Sequence, residues 1–398
     1  MKKLLQINIT ANWGSTGKIA EAIGLTAIAH GWESYLAYGR WANPSRSQLI
    51  KVGNGIDKYL HFAEQRICDN EGLSSRRATK KLVKQIDEIK PDIVQLHNIH
   101  DHYLNYKILF EYLNRTNIKV VWTFHDCWAF TGHCFHFVTK NCEKWKTGCY
   151  ECPMKNILPK TFWDRSKKNY ELKNRLFTEC NNLTIVPCSE WMESFVRQSF
   201  LKEKKIEVIK NGVDITVFKP GVKDSSDWFS VLAVSSVWNK EKGLADIIKL
   251  REILPRKYII TIVGLTEKQV QDLPDSIQGI QRTQNVYELV DLYSKADVLI
   301  NPTYADTFPT VNLEAMACGT PVVTYRTGGS PESIDEKTGL VVEQGDVNGL
   351  AAAIDEICSR DRMEFAKDCR IRAVQEFDKD KCFEKYISLY ESLLKVND

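Results

Sequence analysis

"ADVLINPTYADTFPTVNLEAMACGTPVVTYR", residues 296–326, is the stretch that decides how this chain folds. It opens on one short apolar run, "ADVLINPT", and closes on another, "PVVTYR". Such runs read as strands covered on both faces, and the helical "VNLEAMAC" between them makes the two strands a parallel pair. Pro309 suits the first turn of that helix, where a missing N–H costs nothing, and Gly319 suits its end. A helix is therefore expected over 309–318. Its mouth leaves backbone N–H groups at residues 308 to 311 available to an anion such as a phosphate.

The same alternation extends in both directions. Upstream, "LLQINIT", "DIVQLHN", "KVVWTFHD" and "NLTIVPCS" read as strands, with helix-like "KIAEAIGLTAIAHG" and "WMESFVRQSF" among them. Nearer the opening stretch lie "FSVLAVSS" and "YIITIVG", with "LADIIKLREIL" and "VYELVDLYSKA" as the helices that separate these strands. The fold class expected is α/β, with two doubly wound Rossmann-like domains facing across a cleft. The turn-rich "NGVDITVFKPGVKDSSDW" marks the boundary. The expected parts are an N-terminal domain over 1–215 with a Cys-rich insertion at 127–155, a second domain over 216–375, and a C-terminal helix over 376–398 packing back towards the first domain. Ligands of such folds sit beyond the carboxyl ends of the strands. That rule singles out His97, His125, Asp126, Ser235, Gly264 and Thr303.

Bulk properties agree with two domains and exclude other classes. A chain of 398 residues exceeds one ordinary core. A net charge of +3 gives no reason to expect nucleic acid as a partner. "MKKLLQINITANW" alternates too early for a signal peptide, and no run of 18 apolar residues exists. A cytoplasmic location is expected, extending to the inner face of the membrane. Twelve cysteines in a chain without an export signal argue for thiols or a metal.

Two acids bracket the helix entrance: Asp306 before it and Glu314 within it. A nucleoside diphosphate sugar offers a phosphate to the helix mouth and hydroxyls to an acid on either side. Here "DTFPTVNLE" resembles the carboxylate-x7-Glu motif of retaining glycosyltransferases of family four, which have the GT-B fold. "VIKNGVDITVFKP", "VLAVSSVWNKEKGLADII" and "ACGTPVVTYRTGGSPE" resemble that family in order, the likeness being strongest over residues 183–345. "EGLSSRRATKKL", "LHNIHDHYLN" and "TFHDCWAFTGHC" resemble members acting in bacterial capsule or exopolysaccharide assembly.

The resemblance implies a sugar moved from a nucleotide sugar, UDP-linked in most of the family, to a glycan or lipid-linked saccharide. It implies that Asp306 holds hydroxyls of the transferred sugar and that Glu314 holds the ribose. Lys242 would neutralise the departing diphosphate, and His125 would lie over the donor sugar. Arg282, Thr283 and Gln284 would face the base, while Phe308, Pro309, Thr310 and Val311 form the phosphate end. Two departures stand out. The first acid is Asp rather than Glu. Val237 and Trp238 stand where the family has an Arg, so Lys240 is the substitute cation. No cofactor is expected for the chemistry.

Other motifs remain. "NITANWGSTGKIA" is Gly-rich, but Gly-x4-Gly-Lys-Ser/Thr is not met, since Asn12 stands five before Gly17 and Ile19 follows Lys18. Gly14 and Gly17 are expected to let backbone approach the diphosphate, or simply to form a strand–helix turn. His97, His100 and His102 crowd one loop and suit acceptor contact or loop hydrogen bonding. Cys134, Cys142, Cys149 and Cys152, spaced x7, x6 and x2, suit a tetrahedral structural zinc, with His133 or His136 able to replace one thiolate, or else a set of thiols or disulfides in a loop. Residues 155–175 hold seven basic and two acidic residues with Phe162, Trp163 and Tyr170 between them. This suits a membrane surface near a lipid-linked acceptor, or a solvated helix. The competing functions are a nucleotide-sugar epimerase or a phosphorylase on the same fold, and a non-catalytic zinc-stabilised scaffold.

Overall fold

The computed structural model describes residues 1–157, 159–222 and 227–395. Two compact units divide the chain. One takes Met1–Ile209 and returns from Phe383 onward; the other is Lys210–Cys382.

Seven parallel strands build the first unit: β1 (Lys3–Asn8), β2 (Glu33–Tyr38), β3 (Gln48–Lys51), β4 (Ile93–Leu96), β5 (Lys119–Phe124), β6 (Leu183–Pro187) and β7 (Lys205–Ile206). Their order is β3-β2-β1-β4-β5-β6-β7. Six parallel strands build the second: β8 (Phe229–Val234), β9 (Tyr258–Val263), β10 (Ile277–Ile280), β11 (Val298–Asn301), β12 (Val322–Tyr325) and β13 (Gly339–Val342), in the order β10-β9-β8-β11-β12-β13. Each order reverses once, between β1 and β4 and between β8 and β11. Those two points are where a doubly wound sheet opens a crevice for ligand.

The strands are central and apolar because helices cover both faces. β4, β6, β11 and β12 are buried along their whole length. β1 fixes the register of the first sheet, with Leu4 opposite Ile93 on one side and Ser34 on the other. In the second sheet Leu299 lies opposite both Leu232 and Val322. Each unit carries its own core, one around Leu5, Leu96 and Phe124, the other around Val231, Ile260 and Ile300.

The chain's last described helix, Lys379–Lys395, enters the first unit at Phe383. There the Tyr386 hydroxyl bonds the Thr123 hydroxyl at 3.0 Å, and the Tyr390 ring lies 5.7 Å from the Trp32 ring. Among the described residues, no helix is long and apolar enough to cross a membrane.

Candidate active site

The reversal between β8 and β11 brings two loops together. The loop after β8 runs through Asn239, whose side chain accepts the N–H groups of Glu241 and Lys242 and so shapes a short 3-10 turn. Lys242 closes that turn. Its Nζ lies 2.6 Å from Asp306 Oδ2, on the loop after β11. Both side chains are largely covered but reachable. The two loops are also pinned by backbone, since Tyr304 donates its N–H to the Glu241 carbonyl at 2.7 Å.

Two glycines permit this approach. Gly243 has φ +75°, and a Cβ there would run into the Pro302 carbonyl oxygen. Gly328 has φ +57°, and a Cβ there would run into the Asp306 carbonyl oxygen. Gly329 then donates to the Thr307 carbonyl at 3.1 Å. Asp306 is thus held by its own loop, by Lys242 and by the Gly328–Gly329 turn. The sequence marks that turn only through the family likeness; its role follows from the fold, which no local pattern foretells.

The Asp306 loop ends at the helix Thr310–Ala317. Pro309 is its N-cap rather than its first residue, a shift of one position from the expected start, and it supplies no side-chain cap. Elsewhere in this unit Asn285, Asp346 and Asp361 cap helix starts with their side chains. The first turn at Thr310 therefore keeps N–H groups that the helix itself does not use. Phe308 is buried, its ring 5.9 Å from that of Phe377, so the site meets its backbone rather than its ring. The Asn211 amide holds the Phe308 carbonyl at 3.4 Å. Thr310 and Val311 are half-buried.

Glu314 lies one turn further on. Tyr293, fully buried, donates its hydroxyl to Glu314 Oε2 at 2.8 Å. Burial, and then Glu314 itself, hold the Tyr293 hydroxyl protonated far above the ordinary range, so the phenol is a permanent donor. Nothing in the sequence reveals this partner, because "VYELVDLYSKA" gives Tyr293 no mark beyond an apolar helix position. Beneath the helix, Asn312 ties β11 to the short helix Ser330–Ser333 through Asn301 (2.9 Å) and Ser333 (3.0 Å).

The remaining donor-side candidates are less tightly held. Lys240 and Arg282 are exposed and Thr283 is half-buried; the latter two follow β10 at the carboxyl edge of the sheet. Gln284 donates its N–H to Glu288 at 2.6 Å. At the departure from the family pattern, Trp238 is a core residue. It is buried and donates Nε1–H to the Val263 carbonyl at 2.9 Å, while Val237 is exposed.

In the first unit the reversal between β1 and β4 carries a hydrogen-bonded line. Gln6 on β1 gives its amide N–H to the Ala20 carbonyl at 2.7 Å. Its Oε1 therefore takes Nε2–H of His97 at 3.0 Å. Burial pushes His97 well below its usual range, so it is neutral and its Nδ1 accepts from His125 Nε2–H at 3.1 Å. Burial likewise pushes His125 down to about 4. A neutral His125 that donates through Nε2 has Nδ1 as its acceptor atom. Asp126 pairs with His100, at 2.8 Å. Burial favours the neutral acid there, but His100 outweighs it and holds Asp126 at about 2. His102 lies 3.1 Å from Glu71, so both it and His100 stand against a carboxylate. Gly17 packs with a would-be Cβ 2.6 Å from Thr10 Oγ1, as a strand–helix turn requires; Gly14, at φ +66°, has open space.

The four insertion cysteines and His133 all line one pocket. All four are free thiols. A hydrogen bond from Cys134 draws Cys152 down to about 7 against the effect of burial. His133 gives Nδ1 to Asp69 at 2.6 Å, and its buried Nε2 has no hydrogen-bond partner. The donor set fits zinc in kind, and a carboxylate-oriented histidine is a usual ligand. Among the described residues, however, no three such groups are drawn around one point as a metal would need. The basic stretch 155–175 does not form a single outer face, since Tyr170 and Lys173 point inward. Lys173 gives Nζ–H to the Trp128 and Thr131 carbonyls.

Comparison with known proteins matches both units. The model described as Glycosyltransferase Family 4 matches residues 23–217, and the model described as Glycosyl transferases group 1 matches residues 229–360. WcaC of Escherichia coli (strain K12), named for glycosyl transfer in colanic acid biosynthesis, is 22% identical over 98% of this chain and 100% of its own. Sucrose-phosphate synthase from Thermosynechococcus elongatus has the same fold, with TM-score 0.75, 18% identity and full coverage of both chains. Anabaena HepE, solved with UDP-glucose, superposes with TM-score 0.66 at 14% identity over 98% of this chain and 100% of its own. With both halves matched by glycosyltransferase models, and with the acid pair and lysine set at the switch point of its second domain, the chain belongs to the family-four glycosyltransferases.

Proposed function

We propose that this glycosyltransferase moves a sugar from a UDP-sugar, with retention at the anomeric carbon, to a glycan or lipid-linked saccharide during surface polysaccharide assembly. The observation that carries the reading is the Lys242–Asp306 pair before the uncapped mouth of the Thr310–Ala317 helix. The name of WcaC supports polysaccharide assembly, and the UDP-glucose of HepE supports the donor.

In this reading the ion pair is a resting arrangement. A donor diphosphate draws Lys242 away and takes the N–H groups at Thr310 and Val311. Asp306, released, accepts sugar hydroxyls. Glu314, oriented by Tyr293, accepts the ribose hydroxyls. His125, as the family likeness implies, binds the transferred sugar. The bond from C1 to the diphosphate oxygen breaks, and UDP leaves with the electron pair. The acceptor hydroxyl adds to C1 on the same face, and its proton passes to the departing phosphate oxygen. Positive charge fixed where negative charge develops lowers the barrier more than any other aid such a site can give. The step needs no metal, because Lys242 and the helix mouth supply that charge.

The test is incubation of the chain with UDP-, GDP- and ADP-sugars and a saccharide acceptor, following nucleotide release and the anomeric proton of the product by NMR. Release of UDP with the donor's configuration kept is expected. Isomerised sugar without acceptor would indicate an epimerase, and phosphate-dependent release a phosphorylase. Absence of any nucleotide-sugar binding would leave a scaffold.

The cysteine pocket, in the same reading, takes a structural zinc with ligands from Cys134, Cys142, Cys149 and Cys152. The metal would draw the thiols together and pin the insertion; it has no part in transfer.

A further inference from the structure

The helix Gly55–Cys68 is turned inside out. Its buried positions are polar, His61 and Gln65. His61 spends both ring nitrogens inside the domain, on Ser75 and on the Gly72 N–H. Its outer face is apolar, with Ile56, Tyr59, Leu60 and Ile67 at helical spacing. A helix of a globular domain ordinarily buries the apolar side.

The face continues onto a second segment. The helix's last carbonyls, of Arg66 and Ile67, accept the N–H groups of Phe162 and Trp163 at 2.9 and 3.3 Å. The Arg66 guanidinium lies 5.2 Å from the centre of the Phe162 ring. The six apolar side chains, Ile56, Tyr59, Leu60, Ile67, Phe162 and Trp163, are each between 50% and 73% exposed. A contiguous patch of this kind marks an interaction surface.

Charge identifies the occupant. Lys51, Lys58, Arg66 and Lys160 stand around the patch. Partial burial lowers Lys58, and the nearby like charges of Lys51 and Arg40 lower it further. The neighbouring acids Asp57, Glu64 and Asp164 each accept a hydrogen bond from their own domain. Asp57 accepts the Asn54 N–H in a capping box, Glu64 accepts from Ser74, and Asp164 accepts from the Cys152 and Ser166 N–H groups. Trp, Tyr and Phe beside Lys and Arg are the composition of a membrane interface.

We propose that this patch docks the enzyme on an anionic lipid surface, with the Gly55–Cys68 helix lying in the headgroup layer and Trp163 beside it. The docking goes beyond the donor reading and does not depend on it.

The test is co-sedimentation of the full chain with vesicles of phosphatidylglycerol and phosphatidylethanolamine, against vesicles of phosphatidylcholine alone. Binding to the anionic vesicles, weakened by salt, is expected. The double variant Leu60→Ser/Trp163→Ser should weaken it by about tenfold or more, as loss of two apolar anchors implies. Lys58→Glu/Lys160→Glu should weaken it as well, through charge alone. Circular dichroism and the thermal midpoint check that both variants fold. Equal binding by variants and parent, or no preference for anionic lipid, would overturn the proposal. So would a dimer in sedimentation velocity that Leu60→Ser/Trp163→Ser dissociates, since a second copy would then cover the patch.

Discussion

Lys242 Nζ sits 2.6 Å from Asp306 Oδ2, and the contact spans the point where the second sheet reverses its strand order. The two residues lie far apart in sequence and meet because β8 and β11 are neighbours. A cation and an acid so placed can part and bind a ligand carrying both phosphate and hydroxyls. The pair is partly open to solvent, so its own contribution to stability is small. Its value lies in position.

Replacing Lys242 by Ala should lower turnover by about 10²–10³-fold, the usual loss when one charge-stabilising group is removed. The thermal midpoint should change little, because no core contact is lost. Initial rates of nucleotide release measure the first effect and calorimetry the second. A near-normal rate would remove Lys242 from the chemistry.

Tyr293→Phe keeps the buried ring and removes only the bond to Glu314. Taking this donor from Glu314 should cost about 1 to 3 kcal/mol of orientation at that carboxylate. The loss is expected in KM for the nucleotide sugar more than in kcat. Equal loss in both would mean that Glu314 does not bind a part of the donor remote from the reaction.

Gly328→Ala places a methyl against the Asp306 carbonyl, at a φ of +57° that side chains disfavour. Strain of about 1 to 3 kcal/mol is expected. Rates should fall with the thermal midpoint, because the Asp306 loop must shift. An unchanged rate would show that the Asp306 backbone need not be held where it is.

Acid should destabilise the first domain in a defined window. Burial holds His125 and His61 at about 4 in the fold, against about 6.5 in an unfolded chain. Between those values the unfolded chain binds more protons. The stability due to these rings is complete above about pH 6.5 and is lost as pH falls towards 4. His100, raised beside Asp126, acts in the opposite sense, its share being present below about 6.5 and lost as pH rises through its folded value. Thermal midpoints across about pH 4 to 7 for the parent and His125→Asn should show a shallower slope in the variant. Parallel curves would contradict the neutral His125.

Zinc can be counted directly. One atom per chain in freshly purified protein is expected, with a lower thermal midpoint after chelation. Elemental analysis finding none would leave the four thiols as a reduced cluster.

Much of the fold is readable in the sequence because buried parallel strands are short, apolar and bounded by helices. "VLIN" and "VVTY" are such strands, and β11 and β12 lie where they stand. Five strands carry no such mark: β2 mixes polar residues into its run, β3 is exposed at the edge, β7 has only two residues, and β10 and β13 have four residues each, both with a Gly. The acids and the lysine are legible from a likeness covering several ordered stretches. Tyr293 under Glu314, Gly328 against Asp306 and the Gln6–His97–His125 line are not, because each joins residues that only the folded sheets bring together. The outward apolar face of Gly55–Cys68 is hidden for the opposite reason. Its pattern is that of an ordinary helix, and nothing in a pattern tells which face turns inward.

The central claim is that a diphosphate-linked sugar binds at the mouth of the Thr310–Ala317 helix. A crystal structure of the chain with a UDP-sugar tests this most directly. The account predicts diphosphate oxygens at Lys242 Nζ and the N–H groups of Thr310 and Val311, with ribose on Glu314 and sugar hydroxyls on Asp306. A structure that leaves the Lys242–Asp306 pair closed, with the nucleotide bound elsewhere, would contradict it.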